Sequence, residues 1–233
     1  ECCDKAINID PNCRDAFRHK GLNLHYLNKY DDAIIYFDKA FDENTYSGLY
    51  KKGSLFNYLK NYNEAIKIFN KSIELNPNKP ESYFSIGNSL GSLKKYKEAI
   101  ISYDKAIEIN PNYIDAYINK GCVFNKLERY NDAIKSFDMA IKINPNLVES
   151  YVNKGVSLNG LKRYDEAIKL FDKTIKLNPD FIEAYNLKGI SFDRLKKYKD
   201  AIKIYDKAIE INPFYADAYY NKANSLYCLN NFD

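Results

Sequence analysis

The chain of 233 residues has no tryptophan, one methionine, two histidines, nine glycines and seven prolines. Its apolar runs are a few residues long, far short of the ~18–20 that a membrane-crossing helix requires, so no membrane partner is expected. Charge of one sign is also lacking. The 35 Lys and Arg against 31 Asp and Glu leave +4, which for this length does not argue for nucleic acid. The scarcity of glycine and proline excludes a low-complexity chain. Cys2, Cys3, Cys13, Cys122 and Cys228 form no Cys-x-x-Cys and match no zinc spacing. They read as free thiols in a reducing compartment, hence a cytoplasmic location. His19 and His25 stand six apart on one segment, roughly opposite in facing, without metal-ligand spacing. Glycines occur singly, so no phosphate loop is present. No cofactor and no catalytic function are expected.

A period is present instead. Pro77, Pro111, Pro145, Pro179 and Pro213 are 34 residues apart, and so are Gly53, Gly87, Gly121, Gly155 and Gly189. A fixed period of this length means stacked repeats, not one globular core. Residues 114–147 serve as the reference repeat, with Ile114 at position 1. Tyr117, Gly121, Phe124 and Leu127 follow three- and four-residue steps, one face of a helix A. Glu128-Arg129-Tyr130 interrupts. Ala133, Ile134, Phe137, Ala140 and Ile141 then mark a helix B, which Asn144-Pro145 ends because proline cannot extend it. Gly121 and Ala133 should let helices A and B approach closely, and Ala140 should let helix B meet the next helix A. Acidic residues recur with the repeat and are architectural rather than a convergent catalytic pair. Asn70-Lys71-Ser72 fits the glycosylation pattern but falls inside a predicted helix.

One array is expected over 1–233. Its complete repeats are 14–45, 46–79, 80–113, 114–147, 148–181 and 182–215. Residues 1–13 are most of a helix B, and 216–233 are a helix A with the opening of another helix B. The chain thus starts and stops inside helices, without a polar capping helix, so a longer repeat protein is expected. One junction departs: Gly21 to Gly53 is only 32 residues. Asn44-Thr45-Tyr46-Ser47-Gly48 replaces the Asn-Pro turn there, and an irregularity is expected.

These residues resemble the tetratricopeptide repeat. Gly stands at position 8, Ala at 20 and Phe or Tyr at 24 in every complete repeat. Tyr83, Tyr117, Tyr151, Tyr185 and Tyr219 replace the family's Trp at position 4. The resemblance covers essentially the whole chain. It implies an all-α, right-handed superhelical solenoid of helix-turn-helix repeats. It also implies a non-catalytic scaffold that binds an extended peptide or a partner helix along a concave groove. In that family positions 2, 5, 6, 9, 12 and 13 of helix A commonly face the ligand.

Position 2 is Asp15, Glu81, Asp115, Glu149, Glu183 or Asp217. Two readings fit: an acidic rail for a basic peptide, or carboxylates that stabilise helix N-termini by ~0.3–1 kcal/mol. Asn119, Asn153 and Asn221 at position 6 resemble the asparagine ladder of O-linked N-acetylglucosamine transferase, whose amides hold a peptide backbone. An amide both donates and accepts, so it can hold main chain regardless of sequence. His19, Lys51, Ser85 and Leu187 break the ladder here, and an Asn-rich composition accounts for it equally. Asn88 and Asn224 at position 9, with Asn125 and Asn159 at position 12, add amides. The family's carboxylate clamp is missing, since position 2 is acidic where it needs Lys. Lys20, Lys52, Lys120, Lys154, Lys188 and Lys222 at position 7 are expected to lay aliphatic stems on apolar surface and leave the ammonium in water. Lys94-Lys95, Lys162-Arg163 and Lys196-Lys197 mark the A–B turns and form a basic rim. Two other roles fit the resemblance: a substrate-targeting arm of a larger enzyme such as a glycosyltransferase, and a structural part of a ciliary or cytoskeletal assembly. The sequence leaves the oligomeric state open.

Overall fold

Proline and its preceding asparagine set the helix ends in the computed structural model, which describes residues 2–232 except the side chains of 231 and 232. Among the described residues there are fourteen α-helices and no strand. Residues 1–111 form one compact unit and 112–233 a second. The first holds α1 (Cys2–Ile9), α2 (Arg14–Tyr26), α3 (Tyr30–Ala40), α4 (Tyr46–Tyr58), α5 (Tyr62–Leu75), α6 (Pro80–Ser92) and α7 (Tyr96–Ile109). The second holds α8 (Ile114–Lys126), α9 (Tyr130–Ile143), α10 (Val148–Gly160), α11 (Tyr164–Leu177), α12 (Ile182–Arg194), α13 (Tyr198–Ile211) and α14 (Ala216–Phe232). Even-numbered helices are helix A of a repeat, odd-numbered ones helix B. Within each unit sequence neighbours pack as hairpins.

The residue before each proline is pushed out of the helical region, and the chain uses this. Asn76, Asn144, Asn178 and Asn212 are extended at the ends of α5, α9, α11 and α13, with φ of −150°, −131°, −141° and −137°. Each Oδ1 then accepts the backbone N–H two residues on, from Asn78, Asn146, Asp180 and Phe214, at 2.9–3.2 Å. This side-chain turn replaces a backbone one.

The helix A termini are closed differently. Asn28, Lys60, Lys94, Glu128, Lys162 and Lys196 adopt φ of 57–61° without being glycine. At each, two backbone bonds cap the helix. For α10 these are Lys162 N–H to the Asn159 carbonyl at 2.9 Å and Arg163 N–H to Leu158 at 2.8 Å. The capping bonds and the packing of the next helix offset a left-handed cost of roughly 1–2 kcal/mol. The rim lysines Lys94, Lys162 and Lys196 therefore sit at the chain reversal itself. Beside one of them, Arg163 makes two bonds to Glu166, both 2.7 Å, so this part of the basic rim is paired.

Inside each hairpin an aromatic ring lies against a bare backbone. A Cβ added to Gly155 would stand 2.5 Å from Phe171 Cε1, and one on Gly189 would stand 2.4 Å from Tyr205 Cε1. Gly21, Gly53, Gly87 and Gly121 meet Phe37, Phe69, Tyr103 and Phe137 in the same way. Phe37, Phe69, Phe137 and Phe171 are at most 1% exposed. At positions 3 and 27, Ala140, Ser150, Thr174, Ala184, Ala208 and Ala218 of the second unit are fully buried. Where position 27 is Ser72, its hydroxyl lies 2.7 Å from that of Ser82, at position 3 of the next repeat, and 2.7 Å from the Phe69 carbonyl. The small-residue contact expected at position 27 is thus made with position 3.

The 32-residue junction differs from the others in its backbone. α3 has 11 residues where α5 and α7 have 14. Asp42 Oδ1 accepts Asn44 N–H at 3.0 Å, and Thr45 Oγ1 caps α4 through Gly48 N–H at 3.1 Å. A Cβ on Gly48 would be 1.9 Å from the Asp42 carbonyl oxygen, so only glycine fits. The aromatic core continues across it, with Phe37 and Phe56 edge to face at 5.6 Å.

Gly155→Val is expected to destabilise the chain by about 1–3 kcal/mol through overpacking against Phe171. Urea unfolding of wild type and variant measures this, and identical midpoints would show that the ring does not depend on the glycine.

Candidate functional site

Position 8 of helix A lies against the ring of its own helix B. Positions 4 and 11 reach the preceding repeat, as Tyr151 and Tyr185 bond the Pro145 and Pro179 carbonyls and Phe56 packs on Phe37. Positions 2, 6, 9 and 13 fall on another face. In residues 112–232 that face is carried by α8, α10, α12 and α14. Asp115, Glu149, Glu183 and Asp217 are each the second residue of one of these helices, and all four are exposed. None forms an ion pair among the described residues. Glu183 and Asp217 both act on the Tyr215 hydroxyl, whose pKa is raised first by burial and then by these two charges.

The amides divide into two kinds. Asn119, Asn153 and Asn221 are half-buried one turn further along α8, α10 and α14. Asn221 Nδ2 donates to Asn186 Oδ1 at 2.9 Å. Asn224, one turn on, is exposed. Asn88, in the first unit, has its Oδ1 taken by the Tyr103 hydroxyl at 2.8 Å. Asn125 and Asn159, expected among the groove amides, serve instead as rungs between repeats. Ser157 Oγ lies 2.7 Å from Asn125 Oδ1, and Ser191 Oγ lies 2.9 Å from Asn159 Oδ1. Ser89 and Asn57 repeat the contact in the first unit at 3.1 Å. Position 12 therefore meets position 10 of the following repeat, and its oxygen is spent on the fold.

The position 7 lysines depart from the expectation that their charge lies in water. Lys154, Lys188 and Lys222 reach Asp138, Asp172 and Asp206 of the preceding helix B at 2.5, 2.6 and 2.5 Å. Lys20 pairs with Asp4, and Lys52 with Asp38 and Glu43. Burial opposes the charge on Lys52, yet the two carboxylates hold its pKa above the usual value. A signal for this ladder is present in the sequence. The one complete repeat with Ile86 at position 7 follows a repeat with Asn70, not Asp, at position 25.

One rung carries a charge. Where α4, α8 and α10 have asparagine, α12 has Asp193. Its Oδ1 accepts from Ser225 Oγ at 2.7 Å and its Oδ2 from the Tyr205 hydroxyl at 2.7 Å. Burial raises its pKa above the ordinary carboxylate value, against the pull of the two hydroxyls and of Arg194. Asp193 lines a cleft of about 340 Å³ together with Ile190, Arg194, Tyr198, Asn221 and Asn224. Sequence reasoning passed over it, although an acid among asparagines at one repeat position was there to be seen.

Reactive chemistry has little footing on this face. The Cys122 thiol at position 9 is pushed up to about 11, by burial first and then by Glu149, and so stays protonated and a poor nucleophile near neutrality. All five cysteines are unpaired with one another. His25 packs edge-on against Tyr30 at 5.1 Å. Among the described residues no cluster of three or more His, Cys, Asp or Glu could hold a metal, and no helix is long and apolar enough to cross a membrane.

A family model described as tetratricopeptide repeat matches residues 46–79, 80–113, 114–147, 148–181 and 182–215, and a second model of that description matches 204–233. Solved structures share the fold. MamA is 23% identical with a TM-score of 0.67 over 73% of this chain and 93% of its own. YrrB, described as a TPR protein with an unusual peptide-binding site, is 21% identical with a TM-score of 0.64 over 96% and 98%. A tetratricopeptide repeat protein from Parabacteroides merdae is 16% identical with a TM-score of 0.70 over 91% and 85%. No curated protein matches the sequence significantly.

The two kinds of amide should separate by mutation. Asn125→Ala is expected to cost about 1 kcal/mol, because the bond from Ser157 between repeats is lost, although Ser157 keeps the Asn153 carbonyl at 3.0 Å. Asn153→Ala should change stability by less than about 0.5 kcal/mol. Equal losses in thermal unfolding would show that Asn153 too is structural. Asp193→Asn, combined with Tyr205→Phe so that no hydroxyl is left without its acceptor, is expected to stabilise the chain at neutral pH. With its folded pKa raised, Asp193 favours the fold below the unfolded carboxylate value of 3.8 and loses that contribution as pH rises. The gain should therefore shrink as pH falls towards that value, which unfolding midpoints across acid pH measure.

Proposed function

The chain belongs to the tetratricopeptide repeat family, and from that premise we propose that it is a protein-interaction scaffold holding an extended peptide along its helix A face. The observation that carries this reading is the pattern on α8, α10 and α14. Exposed carboxylates at Asp115, Glu149 and Asp217 are each followed, one turn on, by a half-buried amide at Asn119, Asn153 or Asn221. Glu183 extends the acidic positions onto α12, where Leu187 takes the amide's place. The amides bond the main chain of the ligand, which needs both donors and acceptors at regular steps. The carboxylates favour basic side chains beside it. Asn224 adds an exposed amide on α14, and Asn88 a partly engaged one on α6. The peptide-binding site described for YrrB, a structure of the same fold, makes this class of ligand a reasonable one here. No cofactor and no catalytic step belong to this role. A cytoplasmic location is proposed with it, on the five free thiols.

The test uses the chain as bait in extract from the source cells, with cross-linking and mass spectrometry to place each captured partner. Asn119→Ala, Asn153→Ala and Asn221→Ala combined should reduce capture strongly while the fold persists by circular dichroism. Undiminished capture, or cross-links confined to the helix B surface, would refute the helix A assignment.

A further inference from the structure

We propose that the cleft around Asp193 receives a cationic side chain of the bound partner, a lysine ammonium or an arginine guanidinium. This rests on the peptide-binding reading above and adds the chemistry of one contact.

The repeats themselves supply the control. The rung between helix A of one repeat and helix A of the next needs only an oxygen acceptor. Asn57, Asn125 and Asn159 provide it as neutral amides to Ser89, Ser157 and Ser191. Asp193 makes the same rung to Ser225 at 2.7 Å. Its second oxygen accepts the hydroxyl of Tyr205, where the three sister repeats carry Phe69, Phe137 and Phe171. Both oxygens are thus in use, while the negative charge has no ion-pair partner among the described residues. Half-burying that charge costs free energy that an amide avoids.

Arg194, which lines the same cleft, offsets the charge only in part. Both donors to it, Ser225 and Tyr205, are neutral hydroxyls. Arg194 is the next residue in sequence and lies close enough to favour the carboxylate, yet the two form no ion pair among the described residues. The position 7 lysine Lys222, the cation of α14, is held by Asp206 at 2.5 Å. A half-buried carboxylate without an ion-pair partner, facing a cleft of about 340 Å³, is a place where a cation from outside is stabilised.

The walls suit that ligand. Ile190 and the ring of Tyr198 offer apolar surface to an aliphatic stem. Asn221 and Asn224 line the same cleft and carry amide oxygens that accept N–H groups not used by the carboxylate. An anionic side chain would meet Asp193 directly, and an apolar one would leave it desolvated and unpaired.

The test is a titration of the whole chain with N-butylguanidinium chloride and n-butylammonium chloride, followed by the NMR signals of Asn221, Asn224 and Ser225. 1-Butanol and sodium chloride at matched concentration are the neutral and ionic-strength controls. Both organic cations should give saturating shifts at these residues, and Asp193→Asn should weaken them about tenfold or more, as loss of a charge-assisted bond implies. The three sister repeats with asparagine here carry Phe69, Phe137 and Phe171 in place of Tyr205. Asp193→Asn is therefore also combined with Tyr205→Phe, which restores the sister arrangement, and circular dichroism checks the fold of both variants. Equal binding by either variant, equal shifts with 1-butanol or sodium chloride, or no saturating shift would each overturn the proposal. If cation binding fails while the three asparagine changes still abolish capture of the partner, the scaffold reading stands and only this contact falls.

Discussion

A ring lying on a bare helix backbone is the contact on which each hairpin depends. Phe171 against Gly155, like Phe137 against Gly121, leaves no room for a Cβ between them. This draws helix A onto helix B and consumes one face of helix A entirely. Alanine, serine and threonine at positions 3 and 27 then let hairpins within a unit pack backbone to backbone. Because each contact joins neighbours in sequence, stability accumulates locally, as expected of a quasi-one-dimensional array.

Polar contacts follow the same rule and decide what remains for binding. The position 7 lysine is taken up by an aspartate sixteen residues earlier, and the position 12 oxygen by a serine 32 residues later. Such part-exposed pairs add modestly to stability one by one, but they fix the register of one repeat on the next. They also remove charge and amide groups from the surface on offer to a partner. The helix A face of residues 112–232 is left with exposed carboxylates at its start, amides at its middle and the Asp193 cleft further along. Identity in such a chain resides where a repeat deviates from its sisters. Asp193 among asparagines is one deviation. The junction at Asp42–Thr45 is another, where an Asx turn and Gly48 stand in for Asn-Pro.

Much of this was legible in the sequence, for a physical reason. The 34-residue spacing of proline and glycine placed helices A and B because each marks a local constraint: a residue that cannot continue a helix, and one that makes room for a ring. The acids Asp115, Glu149, Glu183 and Asp217 are exposed because they sit in the first turn, away from the apolar stripe, whereas Glu81 at the same position is half-buried. The destinations of long side chains were not legible. Lys188 looked like a stem with its charge in water, and Asn159 like a groove amide. Yet both find partners on another repeat, 16 or 32 residues away, and for the lysine only the joint change to Asn70 and Ile86 in one pair of repeats signals it.

By itself, then, the sequence determined the repeat, the helix type and the hydrophobic face, since these follow from backbone constraints and periodicity acting within a few residues. It also located the left-over positions from which a binding surface has to be built. Only the tertiary structure decided which polar groups are already spent on the fold and which remain available. That distinction depends on distances between neighbouring repeats. It is why Asn125 turns out to be a rung, Asn153 a surface amide, and Asp193 a rung that keeps a charge without an ion-pair partner.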